Sequence, residues 1–133
     1  MYDWSAGQDK VILVTGHTHQ PVFNSLTHLE RLYQRLENAR ALKDEGMIRN
    51  IEAEIPRRKR EYDHVNQSFG TMRPSYFNSG CCCFDDGTIT GIEICDGFVR
   101  LVKWSLVNGD PVRFVVEENN LQSLAMTLTS KEN

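Results

Sequence analysis

The sequence predicts a mixed α/β fold (α+β), and three observations support this prediction. The β-branched run Val11–Val14 near the start is typical of a buried strand. Apolar residues then recur at helical spacing along two successive stretches. From Ser75 onward, the chain shows short β-type runs separated by Asp-Gly and Asn-Gly turns. The order of strand, helical hairpin and antiparallel meander indicates a mixed layered arrangement.

Length and composition are those of one domain or of part of one. The 133 residues carry a formal net charge of −3, with 40% hydrophobic and 25% charged residues, as in an ordinary globular protein. This charge provides no general attraction to nucleic acid or to an anionic membrane. No apolar run approaches the roughly 18 residues of a membrane span, and the polar start does not resemble a signal peptide. We therefore expect a cytoplasmic protein with no membrane or nucleic-acid partner.

Residues 25–66 are predicted to form a helical hairpin. Thr27 and Glu30 have the spacing of a capping box at a helix start. Residues 43–46 are predicted to end the first helix and to turn the chain. Pro56 interrupts the second helical stretch, so we expect a kink or a new helix start there. The two apolar stripes are Leu29, Leu32, Tyr33, Leu36, Ala39 and Leu42, and then Ile48, Ile51, Ile55, Tyr62 and Val65.

The C-terminal half is predicted to contain an antiparallel meander. Asp96-Gly97 is the strongest hairpin signal, and Asn108-Gly109 precedes the last predicted strand. Residues 118–133 show only a weak apolar pattern, and we expect a flexible tail there. The strands predicted in this half span 75–78, 81–84, 88–95, 98–105 and 112–117.

Two histidines follow the first predicted strand, which we expect at 10–15. Gly16 allows the backbone to turn sharply, and His17 and His19 come next, one residue apart. Neutral imidazole is a common metal ligand, and two neighbouring rings on a turn can each bind a different ion of a dinuclear centre. The alternative is that both histidines only lie on a tight turn and bind no metal.

The segment Gly16-His17-Thr18-His19 resembles the closing motif of the calcineurin-like metallophosphoesterases. Residues 74–81, Pro-Ser-Tyr-Phe-Asn-Ser-Gly-Cys, are similar to the strand and Asn-x-Gly turn that follow that motif in the family. The resemblance implies a metallophosphoesterase-like two-sheet sandwich, partial in this chain, with the helical hairpin as an insertion. It also implies hydrolysis of phosphate-ester substrates by two divalent ions (Mn, Fe or Zn), with His17 on one metal and His19 on the other.

The family's other metal-binding motifs lie upstream of its Gly-His-x-His segment, and the sixteen residues before His17 contain none of them. A metal site typically has about four to six ligands, and this motif supplies two. We therefore interpret 1–133 as a single region, the C-terminal part of a metallophosphoesterase domain. A missing N-terminal half or a partner chain would supply the other ligands. We assign no catalytic or cofactor-binding residue, and we expect the chain alone to bind metal weakly and to be inactive.

The other charged and histidine residues have simpler structural interpretations. His28 and His64 are expected near helix ends rather than in a metal site. Asp85-Asp86 is expected in a turn. The basic run at 57–60 is expected to be a solvated helix face with salt bridges to neighbouring glutamates.

The cysteines and Asn78 are also predicted to have structural roles. Asn78 is expected to make a turn hydrogen bond that holds the histidine loop. The cysteines do not match a zinc-binding spacing, so burial as small hydrophobic residues is favoured over a redox or metal role. They are Cys81, Cys82, Cys83 and Cys95.

Two further function classes stay open besides the phosphoesterase. The helical hairpin could dock a partner or a second copy of the chain, which would make it a non-catalytic interaction or oligomerisation module. A mononuclear metal-binding domain is the other class. A stable dimer without metal would indicate the first, and one tightly held zinc or iron ion would indicate the second.

Overall fold

The computed structural model describes residues 1–60, 69–82 and 85–129. Within them the fold is mixed α/β with four α-helices and two sheets, which confirms the predicted class. The helices are α1 (Tyr2–Ala6), α2 (His28–Leu42), α3 (Glu45–Lys59) and α4 (Leu121–Thr129), with a 3-10 turn at Phe69–Thr71. The strands are β1 (Leu13–Thr15), β2 (Val22–Phe23), β3 (Leu26–Thr27), β4 (Tyr76–Asn78), β5 (Ile89–Cys95), β6 (Phe98–Val107) and β7 (Asp110–Asn120).

The chain divides into two compact units. One consists of Met1–Ser25 and Arg73–Asn133, and the other of Leu26–Met72. The second unit begins and ends close to the hairpin predicted at 25–66. The four-stranded mixed sheet has the order β1-β4-β2-β3, and the three-stranded antiparallel sheet has the order β5-β6-β7.

Strand β4 is central in the part of the mixed sheet that belongs to the first unit. It pairs in parallel with β1, with Leu13 opposite Tyr76 and Thr15 opposite Asn78. It pairs antiparallel with β2, with Val22 opposite Asn78. The first strand is shorter than the predicted 10–15, because only 13–15 lie in the ladder with β4.

The antiparallel meander is confirmed from β5 onward. The two turns have left-handed backbones, at Asp96-Gly97 (φ 52° and 79°) and at Asn108-Gly109 (φ 54° and 89°), as tight hairpins require. Strands β6 and β7 run further than predicted because their ladder continues from Phe98–Asn120 to Val107–Asp110. A bulge interrupts the ladder between Leu101 and Val102.

The prediction of a flexible tail at 118–133 is wrong for the described residues 118–129. Residues 118–120 complete β7, and α4 follows, with the Asn120 side chain accepting hydrogen bonds from the first-turn amides. Leu124 and Leu128 are each 2% exposed, and the Arg73 guanidinium donates to the Leu128 carbonyl. Both leucines belong to a core cluster with Phe23, Phe77, Val99 and Leu101. Tertiary packing therefore holds a helix whose sequence pattern is weak.

The strand predicted at 81–84 is also wrong where the structure describes it. Cys81 and Cys82 lie in irregular chain, and residues 83–84 are outside the described residues. Cys82 and Cys95 are exposed and Cys81 is half-buried, so these three are not the small core residues that we expected. Cys83 lies outside the described residues.

The two predicted hairpin helices are confirmed. The capping box at Thr27 and Glu30 starts α2, and Lys43 ends it in a left-handed conformation. Asp44 caps α3, so Gly46 lies inside this helix rather than in the turn. Helix α3 continues through Pro56 to Lys59, so of the two outcomes expected there, a kink or a new helix start, the new start is wrong. Residues 61–68, including Tyr62, His64 and Val65, lie outside the described residues.

The apolar stripes of the hairpin pack against each other. Leu29, Leu32, Leu36 and Ile51 form one buried cluster, with Tyr33, Ile48 and Ile55 partly buried against it. Most of the apolar surface that we predicted for docking a partner is therefore covered within the hairpin itself. Among the described residues, no helix has both the length and the apolar character that a membrane crossing needs.

Candidate metal site

The loop with the two histidines crosses the end of the central strand. Strands β1 and β2 lie on opposite sides of β4, and 16–21 connect them. This connection must pass over the carboxyl end of β4, where Asn78 is followed by Ser79 and Gly80. Carboxyl ends of parallel strands are the usual place for ligand sites in sheets of this type.

Backbone hydrogen bonds hold the two loops together beyond the ends of the strands. The amide of Ser79 donates to the carbonyl of Thr15 at 2.9 Å, and the amide of His17 donates to the carbonyl of Gly80 at 3.1 Å. His17 has a left-handed backbone with φ 80°. This conformation costs a residue with a Cβ on the order of 1–2 kcal/mol, and such strain is concentrated at functional sites.

Asn78 connects the loops through its side chain. Its Oδ1 accepts a hydrogen bond from the amide of Gly80 at 2.8 Å. Its Nδ2 donates to Thr15 Oγ1 at 3.0 Å and to the Tyr76 hydroxyl at 3.1 Å. The residue is 1% exposed, so each lost bond would leave a buried polar group unpaired. The predicted turn hydrogen bond is present, and the side chain also binds the strand that leads into the histidine loop.

Gly80 is required by the packing of the loop. Its φ is +78°, and an added Cβ would overlap Thr90 Oγ1 and would lie 2.9 Å from Pro21 Cγ. Thr90 Oγ1 is buried and has no hydrogen-bond partner among the described residues. The glycine therefore allows the turn after β4 to lie directly against the end of the histidine loop.

The predicted metal ligands are both exposed at this edge. The structure places His17 and His19 in the same loop, and it brings the Nδ1 atom of His19 to 3.4 Å from Cys81 Sγ. Two imidazoles are donors that fit a divalent ion. The described part of the chain contains no group of three or more His, Cys, Asp or Glu side chains that could hold an ion. The type of donor therefore fits a divalent ion, but the described residues supply fewer donors than a metal site typically has.

Comparison with known proteins leaves the family open. No family model, no curated protein and no solved structure matches this chain. The resemblance of 16–19 and 74–81 to the metallophosphoesterases therefore stays a hypothesis about two short segments. The geometry at the end of β4 is the evidence that bears on what these segments do.

The other histidine that the structure describes has a structural partner in the hairpin. His28 Nε2 lies 3.1 Å from Glu54 Oε1, so His28 pairs with a carboxylate rather than with His17 or His19. Burial alone would raise the pKa of Glu54. The hydrogen bond and positive charge of His28, together with Arg58 at 3.6 Å, outweigh burial and lower this pKa. The salt bridges predicted between the basic run at 57–60 and neighbouring glutamates are confirmed for Glu54 and Arg58.

The remaining charged candidates also have structural roles. An open groove of about 440 Å³ on α3 is lined by Asn50, Ala53, Glu54, Arg57 and Arg58, and it contains neither predicted metal ligand. Asp86 lies in a turn, as predicted, and its Oδ1 accepts a hydrogen bond from the Thr88 amide at 2.9 Å. This bond lowers the pKa of Asp86.

Cys81 is the residue of this site that the sequence analysis missed. Its contact with His19 joins residues 62 positions apart, so no local spacing pattern reveals it. The hydrogen bond from Asn78 to the Tyr76 hydroxyl was also not predicted, although these residues are only two positions apart. One sequence signal was available: Cys81 directly follows the Asn-x-Gly turn that we expected to hold the histidine loop.

Proposed function

We propose that this chain provides His17 and His19 as metal ligands of a phosphoesterase centre, in which two divalent ions hydrolyse a phosphate ester. One observation carries the proposal. His17 is held in a left-handed conformation by its hydrogen bond to Gly80, and it precedes a second exposed imidazole in a loop over the end of β4. A strained, exposed histidine with a fixed backbone is unnecessary for a simple turn, where Gly or Asn would cost less.

The resemblance of the two segments to the metallophosphoesterases supports the same assignment. Such ions, when bound, polarise the phosphoryl group and lower the pKa of an attacking water. In this chain, His17 and His19 would each hold one ion through a neutral ring nitrogen. Asn78 and Gly80 position the loop and do not contact the substrate in this proposal. The ligands that the described residues do not provide would come from an N-terminal half of the domain or from a partner chain, in a partial two-sheet sandwich.

The interaction-module alternative has less support. Its basis was the apolar stripes on both helices of the hairpin, and the structure packs most of the described residues of these stripes against each other. Leu42 (80% exposed) and Met47 (48% exposed) are the large apolar side chains of α2 and α3 that are still exposed in the described residues. Two side chains near one turn are a small surface for a stable dimer.

The test follows the imidazole signals during a titration with Mn²⁺. Substoichiometric Mn²⁺ added to the full chain should broaden the ring signals of His17 and His19 before those of His28, which is paired with Glu54. Phenyl phosphate is then added, and its ³¹P relaxation is measured. This relaxation should be faster with the wild-type chain than with a His17→Ala/His19→Ala variant.

Either of two results would overturn the proposal. One is broadening of His28 at the same Mn²⁺ concentration as His17 and His19, which indicates unspecific binding. The other is equal ³¹P relaxation with the wild type and the double variant. Turnover of an aryl phosphate by the chain alone, abolished by His17→Ala, would support the function and would show that our ligand count is too low.

A further inference from the structure

The helical hairpin of α2 and α3 has a small core of its own. Leu29, Leu32, Leu36 and Ile51 form this cluster, and all four lie on the two helices themselves. The core of the first unit is a different cluster, and no described residue belongs to both. The stability of the hairpin therefore depends mainly on the packing of two helices of 15 residues each, and such a pair is only marginally stable.

The first unit has a larger core that joins distant parts of the chain. Its six buried side chains come from β2, β4, β6 and α4. The rings of Phe23 and Phe77 meet edge to face in this cluster, with their centroids 5.2 Å apart. Because these elements are distant in the sequence and share one core, we expect them to unfold together, at a higher free energy than the hairpin.

Ser25 closes the point at which the hairpin unit is inserted. It is the last residue of the first unit before the hairpin unit, and Arg73 is the first residue after it. The Ser25 hydroxyl donates to the Arg73 carbonyl at 2.6 Å and accepts hydrogen bonds from the amides of Ser75 and Tyr76 at 3.2 and 3.0 Å. The Ser25 amide donates to the Tyr76 carbonyl at 2.7 Å. We call this set of contacts the Ser25 junction.

The Ser25 junction is costly to break. Ser25 is 5% exposed, so a lost bond would leave a buried polar group unpaired. The preceding residue is also held, because the Asn119 side-chain amide donates to Asn24 Oδ1 at 3.2 Å. Asn24 and Ser25 both have left-handed backbones, with φ of 53° and 64°. Such a conformation in residues with a Cβ persists only where the surrounding contacts fix it.

We propose that α2 and α3 open by local unfolding while the first unit stays folded, and that the Ser25 junction stops this opening from reaching β4. The hairpin is then a conformational device that changes between a folded and an open state without displacing the loop of His17 and His19. The separate cores and the closed junction carry this inference. It does not depend on whether the two histidines bind a metal.

Amide hydrogen exchange of the full chain tests the proposal. In the wild type, the amides of α2 and α3 should exchange faster than those of β4 and β6, after correction for intrinsic rates. Leu32→Ala truncates a side chain that is 3% exposed and should accelerate the hairpin amides by roughly 30-fold or more. The milder Ile51→Val should accelerate them by roughly 2–10-fold. Neither variant should change the rates of β4 and β6.

Leu42→Ala is the matched control, since Leu42 lies at the end of α2 and is 80% exposed. It should leave both sets of amides at wild-type rates. The proposal is overturned if Leu32→Ala accelerates the β4 amides as much as the hairpin amides, because the two units would then unfold as one. Protection of β4 decides this even where Leu32→Ala unfolds the hairpin completely.

Ser25→Ala tests the junction itself. Alone, it should accelerate exchange of the Ser75 and Tyr76 amides, because it removes the oxygen that accepts their hydrogen bonds. Combined with Leu32→Ala, it should accelerate the β4 amides beyond the product of the two single effects. A combined effect equal to that product would reject Ser25 as the boundary of the opening.

Discussion

The backbone amide of His17 donates a hydrogen bond to the carbonyl oxygen of Gly80, and both residues have left-handed backbones, with φ of 80° and 78°. The two positions differ in the energetic cost of this conformation. Gly80 has no Cβ and adopts it at low cost, whereas His17 has a side chain and is strained. Adding a Cβ at Gly80 should therefore destabilise the fold, whereas removing the Cβ of His17 should relieve strain.

Replacing Gly80 by alanine should destabilise the fold by about 3 kcal/mol or more, because a left-handed alanine is strained and its Cβ overlaps a neighbour. The atoms in the way are Thr90 Oγ1 and Pro21 Cγ. Gly97→Ala is the matched control, since Gly97 has φ +79° and nothing within 4 Å of an added Cβ. This control should cost only about 1–2 kcal/mol. Urea unfolding of both variants measures the difference, and equal losses would contradict the packing argument.

Replacing His17 by glycine should relieve strain and remove a proposed metal ligand in one step. His17→Gly should be more stable than His17→Ala by about 1 kcal/mol, because alanine keeps the Cβ that makes φ 80° costly. Both variants should bind fewer Mn²⁺ ions than the wild type, because His17 would hold one ion of the proposed pair. Thermal unfolding and the Mn²⁺ titration together check this prediction. An alanine variant as stable as the glycine variant would show that position 17 is not strained.

Truncating the last helix at its buried face should be costly. Leu128→Ala should lower the free energy of unfolding by about 2–5 kcal/mol, because Leu128 is 2% exposed within the core cluster. Met126→Ala is the control on the same helix, at 64% exposure, and it should change stability by less than about 0.5 kcal/mol. Chemical denaturation compares the two. A Leu128→Ala variant with wild-type stability would contradict the burial of α4 and would favour the flexible tail that the sequence pattern predicted.

The Glu54 carboxylate should make the stability of the chain depend on pH in the acidic range. The pKa of Glu54 is lowered in the folded state because His28 and Arg58 outweigh the opposing effect of burial. A lowered pKa means that the stabilisation is complete above the ordinary pKa of a glutamate and is lost as pH falls through the folded value. Because the side chain is 41% exposed, the effect should stay below about 1 kcal/mol.

Unfolding measured between about pH 7 and about pH 3 checks this, with the Glu54→Gln variant as comparison. The variant should lose less stability than the wild type over this range. His28→Gln removes the main partner and should also reduce the pH dependence. If the stability of Glu54→Gln depends on pH in the same way as that of the wild type, the Glu54 carboxylate does not contribute to this dependence.

Local sequence patterns predicted the structure correctly where interactions between neighbouring residues determine it. The capping box at Thr27 and Glu30 was readable because both of its hydrogen bonds lie within one helical turn. The Asp96-Gly97 turn was readable because few residue pairs adopt two successive left-handed conformations cheaply. By contrast, α4 was missed because its burial depends on strands distant in the sequence.

The sequence by itself determined the mixed α/β class, the helical hairpin, the turns of the meander and a pair of histidines after the first strand. These features depend on spacing, caps and turn residues that act within a few positions of the chain. Only the tertiary structure decided that the histidine loop crosses the end of β4 and that His19 meets Cys81, 62 residues away. The physical reason is that strand order is set by packing and by hydrogen bonds between distant segments, which local propensity does not encode.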